Sequence, residues 1–444
     1  MGKNYSVVRL TALHGLDISN SLSCTWSEFL ELSYDDQRRT LFDARILYSD
    51  SFSRSMERLG QVAAEIVWDF EPLQKSWAKE NGVSYDNDNW TFDILIAQIT
   101  ALKPDIVYLQ GTELAIPGRF PQLGRTTTFP SVLKENIGSI RLIGMYSGFP
   151  SKVDRLNGVD ILFSASPSID SHYHAMGVSS VLCYHAFDDS IVTQMKSNSL
   201  SHDFTFVGSA RAPEQRYWLL RDLLDRIPIE LWIDEPDINE SSRRPAFNKK
   251  ELRMRLRKAF VNMARTSLSG ISNKKLEFLA TSERIPTLLR NVLNDITINT
   301  RATGLSAQTD AAIGKPLREM YPKKCHKPVM GLSYFNIMSK SKITLNKHTD
   351  KNMGILGNLR LFEATGVGTC LLTDTGQNMI ELYEPDTEIV TYGSAEEAIE
   401  KVNYLLENES ERASIASAGQ KKTLSSHTIF HRCQLIDEVF QSKL

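Results

Sequence analysis

In "GILGNLRLFEATGVGTCLLTD", residues 354 to 374, a glycine-bearing loop runs into a helix carrying one carboxylate, Glu363. The helix then breaks at a Gly-x-Gly and gives way to an apolar strand. Glycine lets backbone approach a ligand closely, and the first N–H groups of a helix lack partners within it and favour an anion. A diphosphate at Gly357, Asn358 and Leu359 would carry its ribose along the helix face, where Glu363 can accept hydrogen bonds from both ribose hydroxyls. Arg360 either neutralises phosphate or pairs with Glu363, one residue short of the i,i+4 spacing. Gly366 is expected to end the helix in a left-handed cap. A dinucleotide fingerprint runs strand, glycines, helix; here the helix precedes the glycines, which sets a dehydrogenase reading aside.

The elements around this stretch alternate. "YSVVRLTAL", "PDIVYLQ", "IRLIGMY" and "VDILFSA" are short apolar runs closed by turn residues, the pattern of buried parallel strands. Between them "SFSRSMERLGQVAAEIV" and "WTFDILIAQITAL" read as helices. The rhythm restarts after residue 200 with "DFTFVGS", "IELWID", "SKITLN", "TCLLTD" and "EIVTYG", interleaved with helices such as "SAEEAIEKVNYLLEN". This predicts an α/β protein of two Rossmann-like, doubly wound domains, 1–200 and 201–425, with a closing helix at 426–444. Ligands of open α/β sheets bind beyond the carboxyl ends of strands, so Gly208, Ser209, Trp232, Asn346, Lys347 and His348 join the candidates.

The second domain carries an insert at about 240–330, where Leu252, Leu256, Phe260 and Met263 form a helical stripe amid lysines and arginines. Its plain reading is a solvated basic face. Its sharper reading makes 249–265 a peripheral contact for anionic lipid heads or an acidic partner.

The 444 residues are 41% hydrophobic and 23% charged with a formal net charge of −2, which speaks for a globular chain and against a dedicated nucleic-acid binder. Five scattered cysteines without a C-x-x-C pair fit neither a disulfide framework nor a zinc site. With no long apolar run, the expectation is a soluble, reduced, cytoplasmic protein. His427 and His431 lie at i,i+4 without an accompanying acid, so no metal is expected there. "DND" at 86–88 follows no strand and reads as a loop, and "HYH" at 172–174 as a surface helix.

Taken together, "SKITLNKHTD", "GNLRLFEATGVGTCLLTD", "ELYEPDTEIVTYGSAEEAIEKVNYLLEN", "AGQKKTL" and "HTIFHR" resemble the C-terminal domain of spore-maturation-type (CgeB-like) glycosyltransferases. These are related to the retaining group 1 enzymes. The resemblance is dense over 325–435 and extends more thinly through "SDSFSRSMERLG", "KPDIVYLQG" and "DFTFVGSARAPEQR". It implies a GT-B fold, with two domains facing a cleft, and sugar transfer from a nucleotide-diphosphate sugar to an unidentified glycan, protein or metabolite. Retention of configuration is implied, with no metal and no cofactor.

Carried over by residue, Glu363 resembles the acid that holds the donor ribose, and Gly208-Ser209 the loop beside the diphosphate. Arg216 matches a basic residue that follows this loop, for phosphate or for packing. Lys347, Arg360 and Arg211 become the candidate cations for the leaving group, and His14 a cleft-facing group that orients the acceptor. Group 1 enzymes often carry a sugar-aligning acid in an E-x7-E pattern, and the matching position here is Ile355. The sugar-facing role therefore falls to Asn358 or His348, or the sugar is held differently. A nucleotide-sugar epimerase on the same fold and a non-catalytic nucleotide-sugar scaffold are the rival readings.

Overall fold

The computed structural model describes residues 4–47, 49–195, 199–210, 214–235, 315–348 and 355–444. Arg211, the basic segment 249–265 and most of the 240–330 insert lie outside the described residues.

Strands form where the apolar runs predict them, because a strand covered on both faces must be apolar at successive positions. The first sheet contains β1 (Ser6–Thr11), β2 (Val62–Val67), β3 (Ile106–Leu109), β4 (Leu142–Ser147), β5 (Ile161–Ser164) and β6 (Val181–Leu182). Its spatial order is β2-β1-β3-β4-β5-β6, with parallel pairing throughout. The second contains β7 (His202–Ser209), β8 (Ile229–Asp234), β9 (Cys325–His326), β10 (Ser341–Asn346), β11 (Cys370–Asp374) and β12 (Val390–Tyr392). Its order is β12-β11-β10-β7-β8-β9. Each is a doubly wound sheet whose connections reverse direction at one point, between β1 and β3 in the first and between β7 and β10 in the second. Two Rossmann-like sheets in one chain make this the GT-B fold.

The run "SFSRSMERLGQVAAEIV" is not one helix. A helix covers Ser51–Arg58, Gly60 turns the chain at φ +85°, and "VAAEIV" becomes β2. Ala-Ala-Glu is good helix-forming sequence, so propensity hides this strand. Tertiary pairing overrides it, since Glu65 lies opposite Arg9 in the β1–β2 register and the two form a fully buried ion pair at 2.5 Å. Arg9 also donates to the Ser49 carbonyl at 2.8 Å, and the Ser53 amide donates to Glu65 at 2.9 Å.

The compact body that holds both sheets comprises 1–208, 219–233 and 323–444. Within it, the closing helix Ile429–Lys443 packs on the first sheet rather than the second. Its Phe440 ring meets Tyr5, Tyr108 and Phe163, over Gly144, where a Cβ would stand 3.0 Å from that ring. Asp437 accepts from Tyr5 at 2.6 Å and from Gln61 at 3.0 Å. A smaller unit comprises 209–218 and 234–322. Among its described residues, Glu235 accepts from the amides of Leu317 and Arg318 at the start of the helix Leu317–Met320. Among the described residues no helix is long and apolar enough to cross a membrane.

Truncating one partner of a buried ion pair leaves the other charge uncompensated. Glu65→Ala should therefore lower unfolding free energy by about 3–5 kcal/mol in urea titration, and the double variant Arg9→Leu/Glu65→Leu by markedly less. Equal losses would show that Arg9 and Glu65 are not coupled.

Candidate functional site

At the reversal point of the second sheet, β10 ends in Asn346, whose side chain is fully buried. Its amide donates to Asn358 at 3.1 Å and to the Thr373 hydroxyl at 3.1 Å, and accepts from Asn358 at 2.8 Å and from Arg360 at 3.4 Å. The loop before the helix Leu359–Gly366 is thus stitched to the carboxyl end of β10. Asn358 occupies the N-cap position of that helix but spends its side chain on Asn346, so no side chain caps the helix start. Its leading amides remain available to an anion, and Leu359, half-buried, is the first helical residue.

Two glycines shape the space. Gly208, at the end of β7, has φ +145°, and a Cβ there would lie 2.1 Å from the Arg360 guanidinium. That guanidinium instead lies over the Phe206 ring, 4.7 Å from its centroid. Gly357 has φ +143°, and a Cβ on it would come within 3.1 Å of the Tyr184 ring.

Glu363 lies one turn into the helix and accepts from the Tyr334 hydroxyl at 2.7 Å. Pairing with Arg360, one of the two sequence readings of that residue, does not form, because Arg360 reaches back to Asn346 while Tyr334 occupies Glu363. Burial raises the Glu363 pKa, against the opposing pull of Tyr334 and of the Arg360 charge. Gly366 does not supply the left-handed cap. The helix runs through it, the positive φ falls on Gly368, and Gly366 is needed because the Phe187 ring lies 2.5 Å from where its Cβ would be.

The two residues that follow Asn346 form a trio with Asp374. Asp374, at the end of β11, accepts from Lys347 Nζ at 2.9 Å, from the His348 backbone amide at 3.0 Å and from His348 Nδ1 at 2.7 Å. Burial alone would raise the Asp374 pKa, but the hydrogen bonds from His348 and Lys347 and the Lys347 charge outweigh it and hold the carboxyl well below its usual range.

The first domain reaches this region through Tyr184, two residues beyond β6. Its hydroxyl accepts from Asn378 at 3.1 Å, and Asn378 in turn brackets Leu356, accepting from its amide at 2.7 Å and donating to its carbonyl at 3.0 Å. Arg432 of the closing helix donates to the Tyr184 carbonyl at 3.0 Å and lines a cavity of about 30 Å³ with Gln110, Tyr146 and His185. The Tyr146 hydroxyl and His185 Nδ1 lie 3.1 Å apart, and burial together with the Arg432 charge pushes His185 down to about 4.

The other sequence candidates fall in different surroundings. His14 is exposed at φ +56° on a loop whose backbone is held by Asp69, which accepts from the Leu13 and His14 amides at 2.7 Å each. Trp232 is 8% exposed, stacked on His326 and edge-on to His202, so its contacts are those of packing. Arg216 is buried and donates to the Ser209 carbonyl at 3.0 Å. His427 faces the Leu382 carbonyl and His431 the Thr428 hydroxyl, at 3.0 and 2.7 Å, so both rings are engaged in the fold. Tyr334, Asp374, Tyr184 and Asn378 escaped sequence reasoning. Only Asp374, a carboxylate closing a buried strand, carried a visible signal.

Because the folded-state pKa of Asp374 lies below the usual 3.8, its stabilisation is present above that pH and lost as pH falls toward the folded value. Wild type should exceed Asp374→Asn in urea stability at pH 6, and the gap should narrow below about pH 4. A gap independent of pH would remove the charge argument.

Residues 292–438 match a family model described as glycosyl transferase-like. A search of curated protein sequences found no match. Among solved structures, the chain resembles Anabaena Alr3699/HepE in complex with UDP-glucose, with a TM-score of 0.51 at 10% identity over 99% of this chain and 100% of that one. It also resembles an alpha-glucosyltransferase in complex with UDP-glucose and DNA containing an abasic site, with a TM-score of 0.50 at 11% identity, again over 99% and 100% of the two chains. The whole chain thus has the GT-B fold, and its C-terminal third matches the glycosyl transferase-like family.

Proposed function

We propose that this chain transfers a sugar from a nucleotide-diphosphate sugar to an acceptor hydroxyl. The observation that supports this most is the placing of one half-buried carboxylate, Glu363, one turn beyond an uncapped helix start at the reversal point of the second sheet. Anion-seeking amides and a ribose-seeking carboxylate then lie one helical turn apart, the arrangement a nucleoside diphosphate requires. The family match over 292–438 and the UDP-glucose complexes of the two structural neighbours support the same reading.

In this proposal the diphosphate lies against the backbone at Gly208 and Gly357, where the missing side chains let the Arg360 guanidinium and the Tyr184 ring come close. Arg360 supplies positive charge to the leaving group, since among the described residues it forms no ion pair with a carboxylate. Lys347 is less suited to that task because Asp374 already balances it. Glu363 exchanges or shares its Tyr334 hydrogen bond with the ribose hydroxyls. The leaving phosphate oxygen takes the acceptor's proton on the same face of the sugar, which retains configuration and requires no metal. His14 faces the acceptor. A CgeB-like specificity and a cytoplasmic setting belong to the same proposal.

A ligand at 100 times its Kd stabilises the folded state by about 2.7 kcal/mol. In a thermal-shift panel of UDP, GDP and ADP with their sugar conjugates, at least one should raise Tm by several degrees, and Glu363→Ala should lose most of that rise. No shift with any nucleotide would overturn the reading. Affinity should also fall as pH drops through the raised Glu363 pKa, and Glu363→Gln, already neutral, should bind weakly without that dependence.

A further inference from the structure

His348 is 4% exposed, and its Nε2 is fully buried with no hydrogen-bond partner among the described residues. A buried acceptor left unpaired costs about 1–3 kcal/mol, so such an atom in an otherwise satisfied cluster points to a missing partner. The chemistry of that partner follows from the other side of the ring. Asp374 Oδ1 receives Nδ1 of His348 at 2.7 Å and its backbone amide at 3.0 Å, so the carboxylate holds the ring proton on Nδ1. In the neutral ring only one of the two nitrogens carries a proton. The remaining atom, Nε2, therefore offers a lone pair, and its partner must be an O–H or N–H donor.

A nucleotide-diphosphate sugar narrows the choice. Its diphosphate carries no proton near neutral pH, and its ribose hydroxyls belong to Glu363. Asn358 commits one N–H and one oxygen lone pair to Asn346, which turns its amide toward the end of β10. Ile355 has no polar side chain to offer. We infer that His348 Nε2 accepts a hydrogen bond from a hydroxyl of the donor sugar, with Asp374 as the positioning residue that fixes the ring for it. This rests on the nucleotide-sugar reading above and gives that site its sugar-selective half.

The test is calorimetric titration of wild type, His348→Ala, His348→Gln and Asp374→Asn with UDP and UDP-glucose, ADP and ADP-glucose, and GDP and GDP-mannose. The pair whose conjugate binds wild type most tightly is then used for the variants. His348→Ala should weaken the sugar conjugate about tenfold while the bare diphosphate stays within about twofold. His348→Gln, which still offers an acceptor oxygen, should recover part of the loss, and Asp374→Asn should fall between. Equal weakening of conjugate and bare diphosphate by His348→Ala overturns the inference in favour of a phosphate or folding role. Unchanged binding of both overturns it in favour of an acceptor-side role. Failure of every nucleotide to bind wild type instead removes the nucleotide-sugar reading itself, which separates the two failures.

Discussion

Two carboxamides, Asn346 at the end of β10 and Asn358 before the helix Leu359–Gly366, exchange hydrogen bonds at 2.8 and 3.1 Å, and the helix that carries Arg360 and Glu363 is anchored through that exchange. A buried carboxamide has donors and acceptors that must all be met, and each one left open costs about 1–3 kcal/mol. Asn346 meets its share through Asn358, Thr373 and Arg360, which join β10, β11 and the helix at one point. Diverting Asn358 to this joint is also what leaves the helix start without a cap. Anchoring of the loop and availability of the helix amides are thus one arrangement.

The joint is in turn steadied from the first domain. Tyr184 packs against Gly357 and holds Asn378, which brackets Leu356 on the same loop. Arg432 holds the Tyr184 backbone, and its helix is seated on the first sheet by Phe440 and Asp437. The closing helix therefore ties the end of the chain to the first sheet while its Arg432 sets the residue that touches the site loop. Length and amphipathicity announce such a helix in the sequence, but they do not say which sheet it covers. That choice depends on Gly144 and the flat aromatic seat around it, three segments brought together only by folding.

Much of the architecture was legible because parallel strands covered on both faces have no freedom to be polar. "FTFV", "ITL" and "CLL" announce β7, β10 and β11, and the small or polar residues after them mark the carboxyl edge where a site belongs. β2 was not legible, because Glu65 is polar for a partner, Arg9, that lies 56 residues away. Gly366 misled for a related reason: a glycine near a helix end usually signals a turn, whereas this one makes room for Phe187. Glu363 could be picked out by local position, but Tyr334 could not, since nothing within 29 residues of sequence separation points to it. What sequence conveys is which backbone edge carries the chemistry. Which side chain satisfies which other depends on distant pairings that leave no local pattern.

The two acids at this edge are pushed in opposite directions, and the contrast separates their tasks. Asp374 gathers three donors and Lys347's charge, which keeps it ionised and fully occupied. Such a group is a brace: its oxygens have little left for a ligand, and its effect passes through the groups it holds. Glu363 has one hydrogen bond, from Tyr334, and burial raises its pKa. Under-provided with donors, it gains most when a ligand brings more. Carboxylates whose surroundings drive their pKa values apart commonly divide their duties in this way. Under the proposed function, a ligand carrying two adjacent hydroxyls and a negative charge would find its hydroxyl acceptor at Glu363 and its countercharge at Arg360, with Asp374 bracing Lys347 and His348 after β10.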